Sequence, residues 1–397
     1  MTSSHNLLDI RPVTQLTNAK FPEYVKQPNS KLHNIVWRSP LQNIYLVKKP
    51  WNYSVRDAML QFIDHIHKNY PAVNVIINEH VADELTHELQ TGGGAKILDP
   101  SIKHILYTGE ISDIVDKTDL VVTLGGDGTI LRAVSCFSNV TVPPVLSFAL
   151  GTLGFLLPFD FTTAKDTFRM VYESRAKALH RNRLECHVLS NETIRKYQSD
   201  HYIHHNQSAT MVHAMNDITL HRGSQPNLTS LDIYIDNEFL TTTTADGVVF
   251  STPTGSTAYS LSSGGSITHP LVPCILLTPI CPRSLSFRPL ILPSTCHIMI
   301  RLSELNRNRS IELTIDGIPQ RDLRPGDQIH VVNEKGTIYV PGQHEPPTTL
   351  SKQEGSQNKT TGKGIWCIAR SEHDWTKDIN ELLGFNSSFQ GKKQYHM

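Results

Sequence analysis

Hydrophobic positions between residues 41 and 176 alternate between the spacing of strands and that of helices. Four consecutive apolar residues at 44–47 predict a buried strand, and apolar residues across 55–66 recur at helical spacing. Ser54 and Asp57 predict a capping box at the start of that helix. Similar patterns predict strands at 73–77, 104–107 and 120–124 and a helix near 81–89. Strands that alternate with helices indicate a doubly wound parallel sheet, so we expect an α/β domain over residues 41–176.

The hydrophobic period changes after residue 177. Apolar and polar residues alternate strictly there, at 231–236, 311–315 and 327–332, and few helical stripes occur before residue 341. Such alternation is typical of strands with one face buried and one face solvated. We therefore expect residues 177–341 to form a mostly antiparallel β domain that resembles a sandwich, and the fold class to be α/β plus mostly-β.

Three segments fall outside these two predicted domains. Residues 1–40 are interpreted as an extension, a disordered lead-in whose few basic residues make it only a weak targeting segment. Residues 342–364 contain almost no apolar side chains, which predicts a flexible linker. Residues 365–397 become apolar again, which predicts a tail that packs back on the body.

Composition excludes several classes of protein. The chain has 397 residues, with 37 basic and 37 acidic side chains and 39% hydrophobic residues, so it carries no basic nucleic-acid-binding arm. No apolar run is long enough for a membrane span, and the six cysteines form neither a C-x-x-C pair nor a small disulfide framework. We expect a protein of a reducing compartment with neither a nucleic acid nor a membrane as partner.

The glycine-rich segment 125–129, Gly-Gly-Asp-Gly-Thr, lies between a predicted strand and a predicted helix. Three glycines bring bare backbone N–H groups against a polyphosphate, and the helix N-terminus favours negative charge. Asp127 within such a loop can accept the proton of a hydroxyl that receives a phosphoryl group. The alternative is an ordinary strand-to-helix turn with Asp127 as its cap. The chain contains no Walker A, G-x-G-x-x-G or G-x-S-x-G sequence, which disfavours P-loop, Rossmann and serine hydrolase chemistry.

Residues 241–270 are rich in small hydroxyl residues and glycines. Such a stretch can wrap a polar ligand closely, with Tyr259 offering an apolar face to a base and Asp246 accepting hydrogen bonds. A plain Thr- and Ser-rich connection between strands has the same composition, and spacing alone leaves both interpretations open.

The motifs together resemble one family. Residues 125–129 resemble a sequence shared by NAD kinases, by diacylglycerol and sphingosine-type lipid kinases and, in variant form, by 6-phosphofructokinases. Three further stretches are similar only to NAD kinases: the G-x-LGF segment at 151–155, the pair Asn216 and Asp217, and A-D-G with T-P-T-G-S-T-A-Y-S-L-S-x-G-G at 245–265. Stretches outside these motifs resemble the mitochondrial NADH kinases of that family: 29–32, 41–43, 104–109, 282–289 and 382–385.

The resemblance implies transfer of the ATP γ-phosphoryl group to the 2′-hydroxyl of the adenosine ribose of NADH or NAD⁺. Asp127 would take the hydroxyl proton, Asn216 and Asp217 would bind ribose hydroxyls, and Asp246 would serve the nicotinamide half. The residues expected at the ATP phosphates are Gly125, Gly126, Gly128, Thr129 and Arg132. Those expected at the NAD(H) are Asp127 and Gly128 of the same loop together with Phe155, Thr257, Ala258, Tyr259 and Ser262.

The resemblance also implies partners and surroundings. Family members often borrow the residue at Asp246 from a neighbouring subunit, so a homo-oligomer is expected. Mg²⁺ would accompany ATP, and no side-chain ligand for it is predicted. His221 and Arg222 are weaker candidates for a phosphate contact, and His201, His204 and His205 are expected in an exposed loop rather than at zinc. The expected compartment is the mitochondrial matrix, with the cytoplasm as alternative. An NAD⁺-preferring kinase, a lipid kinase and a non-catalytic NADP(H)-binding protein remain alternatives.

Overall fold

The computed structural model of the protein describes residues 8–90, 97–151, 153–191, 213–334 and 363–384. These residues belong to two compact units. The first unit takes its residues from 1–133, 143–179 and 366–397, and the second takes them from 134–142 and 180–365. The described helices are α1 (Tyr53–Asn69), α2 (Glu79–Gln90), α3 (Ile111–Lys117), α4 (Asp127–Ser135), α5 (Ala164–Tyr172), α6 (Tyr259–Ser262) and α7 (Asp374–Leu383).

The first unit is built around one large sheet. Its strands are β1 (Leu8–Pro12), β2 (Glu23–Lys26), β3 (His33–Val36), β4 (Asn43–Lys48), β5 (Asn74–Ile76), β6 (His104–Thr108), β7 (Leu120–Gly125), β8 (Val145–Ala149), β9 (Phe159–Asp160), β10 (Lys177–Arg181) and β23 (Ile365–Ala369). They lie in the order β1-β6-β5-β4-β7-β8-β23-β10-β3-β2, with β9 beside β8. In this spatial order, neighbouring strands pair in parallel from β1 through β6, β5, β4, β7 and β8 to β23. At the other end of the sheet, β3 pairs antiparallel with both β10 and β2.

Helix packing explains why the middle strands are buried throughout. Every residue of β4, β7 and β8 is buried, as expected for parallel strands that are covered on both faces. Phe62 of α1 contacts both Phe148 of β8 and Phe168 of α5, with ring centroids 6.1 and 5.6 Å apart. The predicted parallel α/β sheet is confirmed.

The cap of α1 differs from the prediction. Asn52, rather than Ser54, occupies the N-cap position, and its side-chain oxygen accepts the N–H groups of Ser54 and Val55 at 3.0 and 3.3 Å. Asparagine and serine are equally good N-caps, so the sequence pattern did not distinguish the two positions.

The second unit contains two antiparallel sheets of six strands. The first is formed by β11 (Leu184–Leu189), β12 (His213–Ala214), β14 (Thr229–Ile235), β15 (Glu238–Ala245), β19 (Ile298–Leu302) and β22 (Gln328–Asn333). The second is formed by β13 (Asp217–His221), β16 (Gly247–Ser251), β17 (Cys274–Ile280), β18 (Leu290–Pro293), β20 (Glu312–Ile315) and β21 (Ile318–Pro319). Buried residues of both sheets, such as Ile233 and Val248, share one apolar core. The predicted antiparallel, sandwich-like domain is confirmed.

The segments outside the predicted domains also contribute to the fold. Residues 8–40 contain β1, β2 and β3 instead of the disordered lead-in expected from the sequence, because short strands at a sheet margin need few apolar residues. From the tail, β23 lies between β8 and β10, and Trp366 stacks on Tyr24 with ring centroids 4.1 Å apart. Most of the predicted linker at 342–364 lies outside the described residues. Among the helices that the structure describes, none is long and apolar enough to cross a membrane.

Candidate active site

A glycine-rich loop connects β7 to α4 in the first unit. Gly125 ends the strand with a φ of +153°, and a Cβ there would lie 2.4 Å from the hydroxyl oxygen of Thr129. Only glycine fits that position. Gly126 donates its N–H to the same hydroxyl at 3.3 Å. A Cβ at Gly126 or Gly128 would meet no atom within 4 Å, so the backbone of this loop is accessible to a phosphate.

The carboxylate of Asp127 is held against a second loop of the same unit. Asp127 is the first residue of α4 and is half-buried. Its Oδ1 accepts the N–H of Leu156 at 3.1 Å, and a Cβ at Gly154 would lie only 2.3 Å from that oxygen. Phe155, between those two residues, is half-buried, and Arg132 lies exposed later in α4. The structure thus brings Asp127 together with the 154–156 segment and orients its carboxylate.

The Asn216–Asp217 pair lies at the start of β13 in the second unit, and both residues are buried. Burial raises the pKa of Asp217 to about 6, although a hydrogen bond of 3.3 Å from the Thr219 hydroxyl lowers it. The Oδ1 of Asn216 is buried and accepts no hydrogen bond from the described residues. Buried polar atoms are normally paired, so this oxygen is suited to receive the hydroxyl of a ligand.

The loop after β16 packs directly on this pair. The Thr252 hydroxyl donates to the carbonyl oxygen of Met215 at 2.6 Å, and its N–H donates to the carbonyl oxygen of Asn216 at 2.9 Å. A Cβ at Gly255 would lie 2.2 Å from the backbone carbonyl oxygen of Asn216. Glycine at position 255 therefore lets two backbone segments touch, which explains the glycine of T-P-T-G-S in the stretch 245–265.

The same loop continues into α6, where the predicted base-binding residues lie. Thr257 and Ala258 are half-buried, whereas Tyr259 and Ser262 are exposed, with 40% of Tyr259 accessible. Burial raises the pKa of Tyr259, and Cys281, Asp217 and Asp246 raise it further. The two carboxylates therefore lie within electrostatic reach of this ring, and the second unit brings these predicted residues into one neighbourhood.

Asp246 has a partner within its own chain. Arg222 donates its Nε–H to Asp246 Oδ1 at 2.5 Å, and the backbone N–H of Arg222 donates to the Asp246 carbonyl oxygen at 2.9 Å. The neighbouring His221 accepts the N–H of Gly223 through Nδ1 at 3.0 Å. Arg222, a weaker sequence candidate for a phosphate contact, is thus bound to another predicted site residue.

Sequence reasoning missed the roles of two residues. Gly154 belongs to the G-x-LGF segment, but its contact with Asp127 joins residues 27 positions apart and has no signal in that segment. Asp316 follows the predicted alternating strand at 311–315 and drew no role from the sequence, yet it is buried and accepts the backbone N–H groups of Asn216 and Asp217. Burial raises the pKa of Asp316 to about 7, against the hydrogen bonds it accepts. A polar residue that ends a strand is a weak signal, because most such residues are solvated.

Several predicted features lie outside the described residues, namely Thr152 of the G-x-LGF segment and His201, His204 and His205. Within the ranges that the structure describes, no three His, Cys, Asp or Glu side chains are grouped so that they could hold a metal ion.

Comparison with known families covers both units. A model of the ATP-NAD kinase N-terminal domain matches residues 44–176, and a model of the ATP-NAD kinase C-terminal domain matches residues 215–340.

Individual relatives match over nearly the whole chain. The mitochondrial NADH kinase POS5 of Saccharomyces cerevisiae is 53% identical, over 99% of this chain and 92% of the relative. The mitochondrial NADH kinase pos5 of Schizosaccharomyces pombe is 37% identical, over 96% of this chain and 87% of the relative. A crystal structure of yeast NADH kinase complexed with NADH superposes with a TM-score of 0.82 at 52% identity, over 99% of this chain and 100% of that one. The chain therefore belongs to the ATP-NAD kinase family.

Proposed function

We propose that this protein is an NAD(H) kinase that transfers the γ-phosphoryl group of ATP to the 2′-hydroxyl of the adenosine ribose of NADH and NAD⁺, giving NADPH and NADP⁺. The observation that carries the proposal is the Asp127 carboxylate, oriented by the Leu156 N–H beside an accessible glycine loop. Family membership and the similarity to NADH kinases support the same substrates.

Asp127 acts as the proton acceptor in the proposed reaction. The 2′-oxygen forms a bond to the γ-phosphorus while the bond from that phosphorus to the β,γ-bridging oxygen breaks, and ADP leaves with the bond's electrons. The hydroxyl proton passes to the Asp127 carboxylate. The N–H groups of Gly126 and Gly128, at the N-terminal end of α4, stabilise the phosphate charge, the Gly126 N–H exchanging its long bond of 3.3 Å with the Thr129 hydroxyl for one with the phosphate. Arg132 adds positive charge.

The second unit binds the acceptor in this proposal. Asn216 and Asp217 accept hydrogen bonds from ribose hydroxyls, and Tyr259 offers its ring to the adenine. Thr257, Ala258 and Ser262 line the same pocket. Asp246 serves the nicotinamide half of a neighbouring subunit's site, which requires a homo-oligomer. Sedimentation velocity tests that requirement, and a monomer at assay concentration would contradict it.

Mg²⁺ enters the proposed reaction as the complex with ATP. The ATP phosphates would supply its ligands, and the ion would neutralise charge on the transferred group. The similarity to the two fungal relatives, both named mitochondrial, supports a mitochondrial location. It also supports a preference for NADH over NAD⁺.

The test is product formation by the purified full-length protein with ATP and Mg²⁺, with NADH, NAD⁺ and diacylglycerol compared as acceptors. We expect NADPH to form faster than NADP⁺ and no phosphorylated lipid. Equal rates with the two dinucleotides would remove the NADH preference, and a phosphorylated lipid without NADP(H) would refute the proposal.

The role of Asp127 is tested by Asp127→Asn, which we expect to abolish turnover while NADH still binds. Asp166→Asn is the matched control, because Asp166 is an exposed helical aspartate paired only with Arg169 in the described contacts. Near-normal turnover by Asp127→Asn would show that another group accepts the proton.

A further inference from the structure

Asp316 occupies an unusual position for a charged side chain. It lies between β20 and β21 with a left-handed φ of +50°, and it is buried. Its Oδ2 accepts the N–H of Met215 at 2.8 Å, and its Oδ1 accepts those of Asn216 and Asp217 at 2.7 and 3.1 Å. Its own N–H donates to the Asp217 carbonyl oxygen at 2.9 Å. One turn residue thus binds three consecutive backbone amides of another segment.

These bonds leave the side chains of the segment available. The carboxylate of Asp316 satisfies the three main-chain N–H groups, so they do not compete for the neighbouring side chains. The Oδ1 of Asn216 stays without a partner among the described residues, and Asp217 accepts one long bond, from Thr219. The segment therefore presents two buried acceptors on a fixed main chain.

The segment is fixed from two sides. Asp316 binds its N–H groups, and Thr252 binds the carbonyl oxygens of Met215 and Asn216. A carboxylate is needed to bind the three N–H groups, because its two oxygens accept up to about four hydrogen bonds while an amide group offers one oxygen.

We propose that Asp316 is a positioning residue for the acceptor nucleotide: its carboxylate fixes the main chain of residues 215–217 so that Asn216 and Asp217 meet the ribose hydroxyls. The inference rests on the proposed function, because it takes the ribose of NADH as the ligand of that pair. Asp316 itself does not touch the nucleotide.

The test compares Asp316→Asn with the wild type in steady-state kinetics. The asparagine places an NH₂ group against the N–H of Met215 or leaves it without an acceptor, so the segment shifts. We expect the KM for NADH to rise about tenfold or more, the loss typical of one buried N–H left without an acceptor, while the KM for ATP changes less than twofold. An equal rise in both KM values, or no rise for NADH, would overturn the proposal.

Asp236→Asn is the matched control. Asp236 is also an aspartate with a φ of +50° in a turn between strands, and it accepts a backbone N–H, that of His297, at 2.8 Å. It lies in the β14–β15 turn of the other sheet. A selective rise in the KM for NADH should appear in Asp316→Asn and not in Asp236→Asn, and the same rise in both variants would assign the effect to loss of any turn carboxylate.

A second variant, Asp316→Glu, keeps the test interpretable if Asp316→Asn does not fold. A measurement of NADH binding keeps the test independent of the proposed reaction. Asp316→Glu keeps the charge but moves the carboxylate by one methylene, and we expect it to show the same selective rise. If neither variant folds, Asp316 serves the fold and the proposal is wrong. NADH binding, followed by nicotinamide fluorescence, does not need turnover. A wild type that binds NADH without phosphorylating it would refute the proposed function alone, and weaker binding by Asp316→Asn would still support the positioning role.

Discussion

Gly154 allows a direct test of how the carboxylate of Asp127, the proposed proton acceptor, is held. In Gly154→Ala the new methyl carbon would lie 2.3 Å from Asp127 Oδ1, and real contacts of this kind are not found below 3.0 Å. The carboxylate must therefore move by at least about 0.7 Å, which is 3.0 minus 2.3 Å. This movement also weakens its hydrogen bond with the Leu156 N–H, which is already 3.1 Å long.

The change should affect turnover far more than stability. Asp127 can turn aside about its side-chain torsions, and an off-rotamer side chain costs about 1 kcal/mol. A displacement of about 1 Å at a reacting group costs about a hundredfold in rate, or about 2.7 kcal/mol of activation free energy. We expect kcat of Gly154→Ala to fall by about that factor at saturating ATP and NADH, while its melting temperature decreases by only a few degrees.

A double-mutant cycle identifies the cause. Asp127→Ala removes the atoms with which the new methyl group collides, so Gly154→Ala should reduce stability in the wild-type background and not in the Asp127→Ala background. Thermal unfolding measures all four proteins without turnover. A kcat of Gly154→Ala within threefold of the wild type, or an equal loss of stability in both backgrounds, would refute this account of the Asp127 position.

Two further predictions concern buried ionisable groups in the second unit. Glu334 and Arg183 form a buried ion pair at 2.5 Å, so Glu334→Gln should lower the free energy of unfolding by about 3–5 kcal/mol in urea titrations. The control is Glu173→Gln, at an exposed ion pair, which should change the free energy of unfolding by less than about 1 kcal/mol. Equal effects of the two substitutions would contradict the role of burial. Burial lowers the pKa of His297 to about 4 and that of His330 to about 3, so both stay neutral in the folded protein while the unfolded chain takes up protons below pH 6.5. The stability that depends on the two neutral histidines is present above pH 6.5 and is lost as the pH falls towards 4, by up to about 2.7 kcal/mol per pH unit for two protons. In thermal unfolding, the melting temperature of the double variant H297Q/H330Q should depend less steeply on pH than that of the wild type. An unchanged pH dependence of the melting temperature would contradict this assignment.

The elements that the sequence predicted well are those whose signal is local. Local signals identify β7, the loop and the start of α4 without reference to the rest of the chain. These signals are the apolar run at 120–124, the glycines that follow it and the apolar positions after them. The strict alternation at 231–236 likewise identifies β14, because one face of that strand is buried along most of its length.

The features that the sequence did not predict depend on distant partners. Strands β1 and β2 have few apolar residues and are stabilised by pairing with β6 and β3. The partners of Asp316 lie about a hundred positions earlier in the chain. The Gly154–Asp127 contact joins the loops that follow the paired strands β7 and β8, so it depends on that pairing. No local pattern specifies such contacts.

The position of β23 has a consequence for the order in which the chain can fold. This strand lies inside the first sheet, between β8 and β10, and Cys367 pairs with Val145 more than two hundred residues earlier. Contacts between such distant residues form slowly, because a long loop must close before they contribute. During synthesis from the N-terminus, the first unit can complete its sheet only after the whole second unit has been made. Until then the facing margins of β8 and β10 carry unpaired backbone groups, and a nascent or truncated chain that lacks β23 should be the species most prone to aggregate.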